Sequence, residues 1–271
     1  MSLITITRSI GCGGALIARR VADELKLDLY DDQRLQEEAI KMGIPEDLKS
    51  LDEKAPGLFD RLLTHKPALY LDLMESVVYK VSQRGQGVIL DHGAHRLLQD
   101  FGCALHVRIN ASETFRIQHL MDHQGINQEA AEKMIHKNDR ARRDFLQFAF
   151  HIEWNDPSLY DLIIKRDKLS TDSAANLIVE VAQSQEIKEC SLTALESMER
   201  LSLSKKVEAA IIKNNFSPVD FQVDITEEGV TQITGWTRSK QEKDRLLKTV
   251  EGVPGVSDVR SNVFVVKAFS E

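Results

Sequence analysis

A chain of 271 residues with 42% hydrophobic residues is long enough for one large domain and a small second one, each with its own core. A net charge of −7 at pH 7 argues against a nucleic-acid-binding protein, which needs a clustered positive face. No run approaches the roughly eighteen apolar residues of a membrane-spanning helix, and the N-terminus enters a strand without a charged and then apolar leader. We therefore expect no transmembrane segment and a cytoplasmic location.

The three cysteines, Cys12, Cys103 and Cys190, are far apart and form no C-x-x-C pair. Their odd number and wide spacing predict reduced thiols, with neither a disulfide framework nor a zinc site. Cys12 stands just before a predicted helix. A helix N-terminus lowers the pKa of a nearby thiol, so a redox-sensitive Cys12 is the lesser alternative to a plain reduced thiol.

Residues 3–18 predict a short β-branched strand, a glycine-rich turn and a helix. Gly11, Gly13 and Gly14 let the backbone approach a ligand, and a helix N-terminus attracts anions, so the turn is a candidate phosphate cradle. The phosphate-loop pattern G-x-x-x-x-G-K-[ST] has glycine where Arg8 stands and lysine where Gly14 stands. A tight turn without a ligand is the alternative.

The rest of the first 185 residues alternates short strands with helices, which predicts a parallel α/β sheet with right-handed crossovers. Pro45 and Pro56 interrupt one helical region. The predicted strands after the first are residues 27–30, 88–90, 103–109 and 162–164. The first predicted helix ends near residue 25 and the second begins at 31–32. The other main helices span 66–84, 114–123, 127–148 and 172–182. Ligands lie beyond the carboxyl ends of such strands, where Arg8, Asp31 and Asp91 fall.

After residue 185 the pattern of predicted helices and strands changes. Residues 186–199 are polar and predict a linker, although three apolar residues at helical spacing also allow a connecting helix. Residues 200–271 predict a small α+β domain in the order α-β-β-α-β, with strands at 221–226, 231–235 and 261–266, a helix at 242–250, and a Glu228-Gly229 turn between the first two strands.

Residues 1–185 resemble the cytidylate-kinase-like family, a branch of the P-loop nucleoside monophosphate kinases. The resemblance is carried by Ile4-Thr5-Ile6-Thr7-Arg8 with Gly11-Cys12-Gly13-Gly14, Tyr30-Asp31, Gly93-Ala94, Arg116, Asp139 with Arg142, and Trp154 with Asp156-Pro157. The chain departs from the family pattern at Asp91, His92 and His95, where that pattern has Gly, Arg and Asn.

This resemblance implies a P-loop kinase-like parallel sheet flanked by helices, with ATP and Mg²⁺ as cofactors. It further implies phosphoryl transfer to a nucleoside monophosphate, cytidylate-like, or a related small acceptor. Arg8, Arg116 and Arg142 would stabilise the phosphates and the transferred charge. Other implied contacts are to ATP from Gly11, Cys12, Gly13, Gly14, Ala15 and Leu16, to the acceptor from Asp31, His92 and His95, and to Mg²⁺ through water from Asp91.

Structural alternatives stay open for these residues. Arg8 would equally serve in an ion pair, and Asp31 and Asp91 as helix caps. The basic residues between 137 and 143 resemble a lid that closes over phosphates, but a helix cannot point all of them one way, so some must lie on a solvated face.

The tail resembles a BON domain over residues 200–267. The matching segments are Gly229-Val230-Thr231, Ile233-Thr234-Gly235, and Val253 to Val259 with Asn262. The resemblance implies a binding module for a small or apolar ligand. Three functions therefore remain in view: a nucleoside monophosphate kinase, a catalytically degenerate nucleotide sensor coupled to the BON-like domain, and a tail that binds lipid with the first domain as a scaffold. Each is compatible with a homo-oligomer.

Overall fold

The computed structural model describes residues 3–44, 67–226 and 229–266. Pro45, Pro56 and Glu228, which the sequence analysis singled out, lie outside these residues. The described chain forms two compact units, one of residues 3–44 and 81–195 and the other of residues 67–80, 196–226 and 229–266. No helix in these ranges is both long and apolar enough to cross a bilayer.

The first unit is built on a parallel sheet. Its strands are β1 (Leu3–Arg8), β2 (Leu29–Tyr30), β3 (Gly87–Leu90), β4 (Ala104–Asn110) and β5 (Leu162–Lys165), in the order β2-β3-β1-β4-β5. β1 is buried along its whole length and pairs with β3 on one side and β4 on the other. Apolar and β-branched residues suit a strand covered on both faces. The predicted P-loop kinase-like sheet is confirmed.

Helices of this unit follow the strands, as predicted. They are α1 (Gly14–Leu25), α2 (Asp32–Lys41), the end of α3 (Pro67–Ser82), α4 (Ala94–Leu97), α5 (Glu113–Gln124), α6 (Gln128–Phe150) and α7 (Thr171–Ala182). The main core lies between the sheet and helices α1 and α7, where Ile17 and Ile178 pack with Ile6 and Val107. This packing fixes the start of α1 at the carboxyl end of β1.

The second unit contains a three-stranded sheet in the order β6-β7-β8. Its elements are residues 67–80 of α3, residues 196–213 of α8 (Leu192–Lys213), β6 (Phe221–Ile225), β7 (Val230–Thr237), α9 (Lys240–Glu251) and β8 (Asp258–Val265). β6 and β7 are antiparallel, whereas β7 and β8 are parallel. The predicted α-β-β-α-β order is confirmed, and Val207, Ile211, Ile233 and Leu246 form its core.

Two features differ from the expected domain layout. A single helix, α8, begins at Leu192 and continues through the second half of the predicted linker into the tail. Residues 67–80, expected in the first domain, group with the tail. The domain boundaries at 185 and 200 stay a prediction.

The expectation of three reduced thiols is wrong for two of them, because Cys103 and Cys190 form a disulfide across a sequence separation of 87 residues. Cys103 stands immediately before β4, and Cys190 follows α7. Spacing along the chain could not reveal this pair, because the fold brings the two segments together. Cys12 is the free cysteine and is buried.

Replacing Cys103 with serine removes a link between residues 87 apart, so we expect the free energy of unfolding to fall by about 2–4 kcal/mol. Urea unfolding of the oxidised wild-type chain and of Cys103→Ser measures this loss. A reductant provides the control, since it should lower the wild type to the level of the variant and leave the variant unchanged. A wild type that is insensitive to the reductant would contradict the disulfide.

Candidate active site

The turn between β1 and α1 presents an uncapped helix N-terminus. Gly11 and Gly13 adopt left-handed backbone conformations, with φ of 79° and 73°. Gly13 is the N-cap of α1 and supplies no side-chain hydrogen bond, and the first turn of the helix contains no acidic residue. The first N–H groups of a helix have no partner within the helix and carry the positive end of its dipole. This end of α1 is therefore suited to an anion.

Each glycine of the turn stands where an arginine side chain or its backbone approaches. A Cβ atom at Gly14 would lie 2.7 Å from Arg8 Cβ, and one at Gly11 would lie 2.8 Å from the backbone oxygen of Arg116. A Cβ at Gly13 would overlap Arg166 Nη1. The glycines therefore make room for arginines that pack against the turn.

Arg166 is a functional candidate that sequence reasoning missed. Its Nη1 donates to the carbonyl oxygen of Cys12 at 2.9 Å, and the residue is buried at the end of β5. The signal in the sequence was a basic residue two positions after the predicted strand 162–164, close to the strand end as Arg8 is. Arg166 adds a positive charge beside the turn.

Asp91 joins two of the predicted arginines at the centre of the site. Arg142 Nη1 and Nη2 donate to its Oδ1 and Oδ2 at 2.8 and 2.9 Å, and the backbone N–H of Arg8 donates to Oδ1 at 3.2 Å. Arg8 Nε lies 3.2 Å from Oδ2 without the alignment of a hydrogen bond. The side chains of Arg8, Asp91 and Arg142 are 10%, 1% and 4% exposed. The structure thus brings together residues from β1, β3 and α6.

Electrostatics keep Asp91 ionised in this buried place. Burial on its own would raise the pKa of the carboxyl group, but the charges of Arg142 and Arg8 outweigh it and hold the pKa well below its usual range. Asp91 has a positive φ of 67°, which Asp tolerates better than most residues. Strand β3 thus ends in a carboxylate that faces β1 and α6.

The donor set around Asp91 fits phosphates better than it fits a magnesium ion. Both carboxylate oxygens face arginine or backbone donors, and no cluster of three metal-ligating side chains occurs in the described ranges. Guanidinium groups and uncapped N–H groups instead suit phosphate oxygens. The role of Asp91 with Mg²⁺ stays a prediction, and no step below is assigned to a metal.

Arg116 lies against the other side of the turn. Its Nη1 and Nη2 donate to Asp139 of α6 at 2.9 and 2.7 Å, and Nη1 also lies 3.4 Å from the carbonyl oxygen of Ile10. The pair connects α5 to α6 beside the turn. Arg116 thus stands in the predicted region, already holding a carboxylate.

Within the basic run of α6, only Arg142 belongs to the buried face. It continues a stripe of buried residues at helical spacing: Ala131, Ile135, Asn138, Arg142 and Phe145. Lys137, Arg140 and Arg143 are exposed, in agreement with the expectation that some of these cations lie on a solvated face. Asn138 Oδ1 also accepts from Arg142 Nε at 3.1 Å.

A cavity of about 410 Å³ opens beside the start of α1. Arg8, Ala15, Leu16, Asp31 and Asp32 are among its lining residues. Asp31 caps α2, because its Oδ1 accepts from the backbone N–H of Arg34 at 3.1 Å. The structure therefore shows the capping role for Asp31 and also places its carboxylate at the cavity, where contact with an acceptor stays a prediction.

The two predicted histidines are both buried near the site. His92 lies with Nε2 3.5 Å from Asp32 Oδ1, so it approaches the cavity side. His95 Nδ1 pairs with Thr7 Oγ1 at 3.1 Å, and its ring stacks on Tyr160. Burial, followed by the charge of His106, lowers the pKa of His95 to about 3. At neutral pH His95 is therefore uncharged, and its contact with an acceptor stays a prediction.

The structure favours a plain, unreactive thiol for Cys12. Burial raises the pKa of its thiol and outweighs the lowering effects of the Gly14 backbone N–H and Arg8. The thiol points into the core and donates to the carbonyl oxygen of Ile109 at 3.5 Å. Cys12 contributes its backbone to the turn, while its side chain anchors the turn to β4.

A parallel sheet in this order, with a glycine turn between β1 and α1, is the arrangement of P-loop kinases and defines a nucleotide-binding kinase-like protein. The chain belongs to the cytidylate kinase-like family, whose model matches residues 3–168. Residues 201–268 match the model of the BON domain. No curated protein matches the chain.

Solved structures resemble about two thirds of the chain. An uncharacterized protein from Eubacterium ventriosum is 24% identical with a TM-score of 0.54, and the match covers 68% of this chain and 99% of that one. It shows the fold alone. A shikimate kinase from Acinetobacter baumannii is 13% identical with a TM-score of 0.40, and the match covers 69% of this chain and 96% of that one. A shikimate kinase from Bacteroides thetaiotaomicron is also 13% identical, with a TM-score of 0.42 and coverages of 68% and 99%. These TM-scores are too low to bear on function.

Replacing Asp91 with asparagine leaves two buried guanidinium groups without their counter-charge, so we expect a loss of about 3–5 kcal/mol in the free energy of unfolding at pH 7. Urea unfolding measures it. Asp172→Asn is the matched control: Asp172 pairs with Arg20 at an exposed position, where the expected loss is below about 1 kcal/mol.

The loss of stability caused by Asp91→Asn should also depend on pH. Because the folded-state pKa of Asp91 is depressed, its stabilisation is complete above the unfolded-state pKa of about 3.9 and is lost as pH falls below that value. The gap between wild type and Asp91→Asn should therefore shrink below about pH 4. Equal losses of stability in Asp91→Asn and Asp172→Asn would contradict the role of Asp91. A stability difference between wild type and Asp91→Asn that does not change with pH would contradict it as well.

Proposed function

We propose that the first unit binds the phosphates of ATP at the glycine turn and transfers a phosphoryl group to a nucleoside monophosphate held in the neighbouring cavity. The observation that carries this proposal is the position of Arg8. Its side chain packs on Gly14 at the start of α1, contacts Asp91 and lines the cavity. One guanidinium group thus lies between the proposed donor site and the proposed acceptor site.

The charges around the turn support the donor part of the proposal. Phosphoryl transfer depends mainly on positioning and on neutralising the charge of the phosphates. Arg8, Arg116 and Arg166 approach the turn from three elements, and α1 adds its uncapped N–H groups. ATP supplies the transferred group when bound; these residues would orient its phosphates and balance their charge.

The lining of the cavity supports the acceptor part. Arg8 and Arg19 offer positive charge for a phosphate, and Asp31, Asp32 and Gln33 offer groups that bind hydroxyls and amines. Such a mixture suits a nucleoside monophosphate, which carries a phosphate at one end and hydrogen-bonding groups at the other. Which base the acceptor carries does not follow from these residues.

A second candidate is a nucleotide sensor without turnover. Two observations favour it. The side chain of Arg8 leaves no room for a lysine at position 14, and the paired Asp91 already engages Arg142. A protein with these features would bind a nucleotide and pass the event to its BON domain.

Ala15→Glu tests these functions with little risk to the fold. Ala15 is exposed in the first turn of α1 and lines the cavity. A carboxylate there repels phosphates, while its interaction with the helix dipole stabilises α1. We expect at least a tenfold loss of ATP affinity by calorimetry, which corresponds to about 1.4 kcal/mol of binding free energy. A coupled assay with ATP and each nucleoside monophosphate measures turnover.

Gln241→Glu is the matched control, since it adds the same charge at an exposed position, the second residue of helix α9. It should leave ATP affinity and turnover unchanged. Turnover in wild type that Ala15→Glu reduces supports the kinase. Binding without turnover supports the sensor, and an unchanged affinity in Ala15→Glu would overturn nucleotide binding at the turn.

A further inference from the structure

The second unit contains a larger cavity than the one beside the turn. Its volume is about 980 Å³, within the usual range of small-molecule sites. Lys80 of α3 and Arg200, Leu203 and Lys206 of α8 line it on one side. Loop residues next to β6, β7 and β8 line the other, Gly255 and Ser257 among them.

Close backbone contacts fix the loop wall. The N–H of Ser257 donates to the carbonyl oxygen of Gly229 at 2.9 Å, and a Cβ at Gly229 would overlap the carbonyl oxygen of Gly255. A Cβ at Gly255 would lie 3.2 Å from Leu203 Cδ1, so this loop packs on α8. The cavity therefore has a preformed wall.

Polar contacts fix the helical wall. Lys205 Nζ lies 3.3 Å from Asp72 Oδ1 and 3.0 Å from Glu75 Oε2, and Ser202 Oγ donates to the carbonyl oxygen of Ser76 at 2.8 Å. These contacts hold residues 67–80 of α3 against α8. Lys80 follows Ser76 by one helical turn, on the same face of α3.

Three cations, Lys80, Arg200 and Lys206, line the cavity together. Arg200 and Lys206 form no ion pair within the described ranges, although Arg200 contacts Ser197 Oγ. Burial, followed by the nearby charge of Lys80, lowers the pKa of Lys206. A titratable group with a shifted pKa in a cleft marks a candidate functional site, and neighbouring cations attract an anion. Glu196 and Glu199 also line the cavity, but both are exposed.

We propose that this cavity binds a small phosphorylated molecule, with Arg200, Lys206 and Lys80 holding its phosphate. The guanidinium fork matches phosphate geometry, and a phosphate would relieve the repulsion between the two lysines. Lys80 and Arg200 lie outside the segment that matches the BON domain, so the site belongs to this chain and not to the BON domain alone.

Inorganic pyrophosphate is the probe for this site, applied to the full chain at low ionic strength. The Ala15→Glu background weakens competing binding at the turn. Hydrogen exchange read by mass spectrometry should slow in the peptides of residues 196–206 and 253–257, and the titration of this protection gives an affinity. Slowing confined to residues 10–18 would overturn the proposal.

Lys206→Gln should weaken the pyrophosphate affinity at least tenfold. It removes a cation repelled by Lys80, so we expect the variant to fold. Lys213→Gln, the same change at the exposed end of α8, is the matched control and should leave the affinity unchanged. Arg200→Gln should repeat the loss independently. Equal affinities in the wild type, Lys206→Gln and Arg200→Gln would overturn the proposal.

Discussion

The buried carboxylate of Asp91 is the constraint on which the site depends. It receives two hydrogen bonds from Arg142 and one from the backbone of Arg8, and so joins the end of β3 to β1 and α6. A buried charge of this kind persists only when its partners are in place. The same pairing limits phosphate binding by the arginines, because Arg8 and Arg142 already engage the Asp91 carboxylate. Asp91 therefore organises the site and would compete with a bound phosphate for these two guanidinium groups.

The glycine turn depends on the same arginines. In the P-loop pattern a lysine reaches the phosphates from the position of Gly14, but here the Arg8 side chain fills that space. Arg116 and Arg166 pack against the other glycines. The positive charge of the turn thus comes from side chains of other elements, and its phosphate donors would be a helix N-terminus and guanidinium groups.

Much of this arrangement could be predicted from the sequence, because it follows from local patterns. The strands, the glycine turn and the helices are visible in short stretches. Helix geometry also requires that some of the cations between 137 and 143 lie on a solvated face, but Arg142 was not singled out on that ground. The disulfide of Cys103 and Cys190 and the contact of Arg166 with the turn join residues 87 and 154 positions apart, which no local pattern encodes. Cys12 shows a different limit: the helix dipole was a sound reason for a lower pKa, but burial, which depends on the whole core, has the larger effect.

The proposed function depends on phosphate binding at the start of α1 with the help of Arg8. A crystal structure of the chain with a bound nucleoside diphosphate would test this binding. We expect a phosphate whose oxygens lie within about 3 Å of the backbone nitrogens of Gly14 and Ala15, with the Arg8 guanidinium in contact with it. A nucleotide bound elsewhere, with Arg8 still directed only at Asp91, would rule out phosphate binding at this turn.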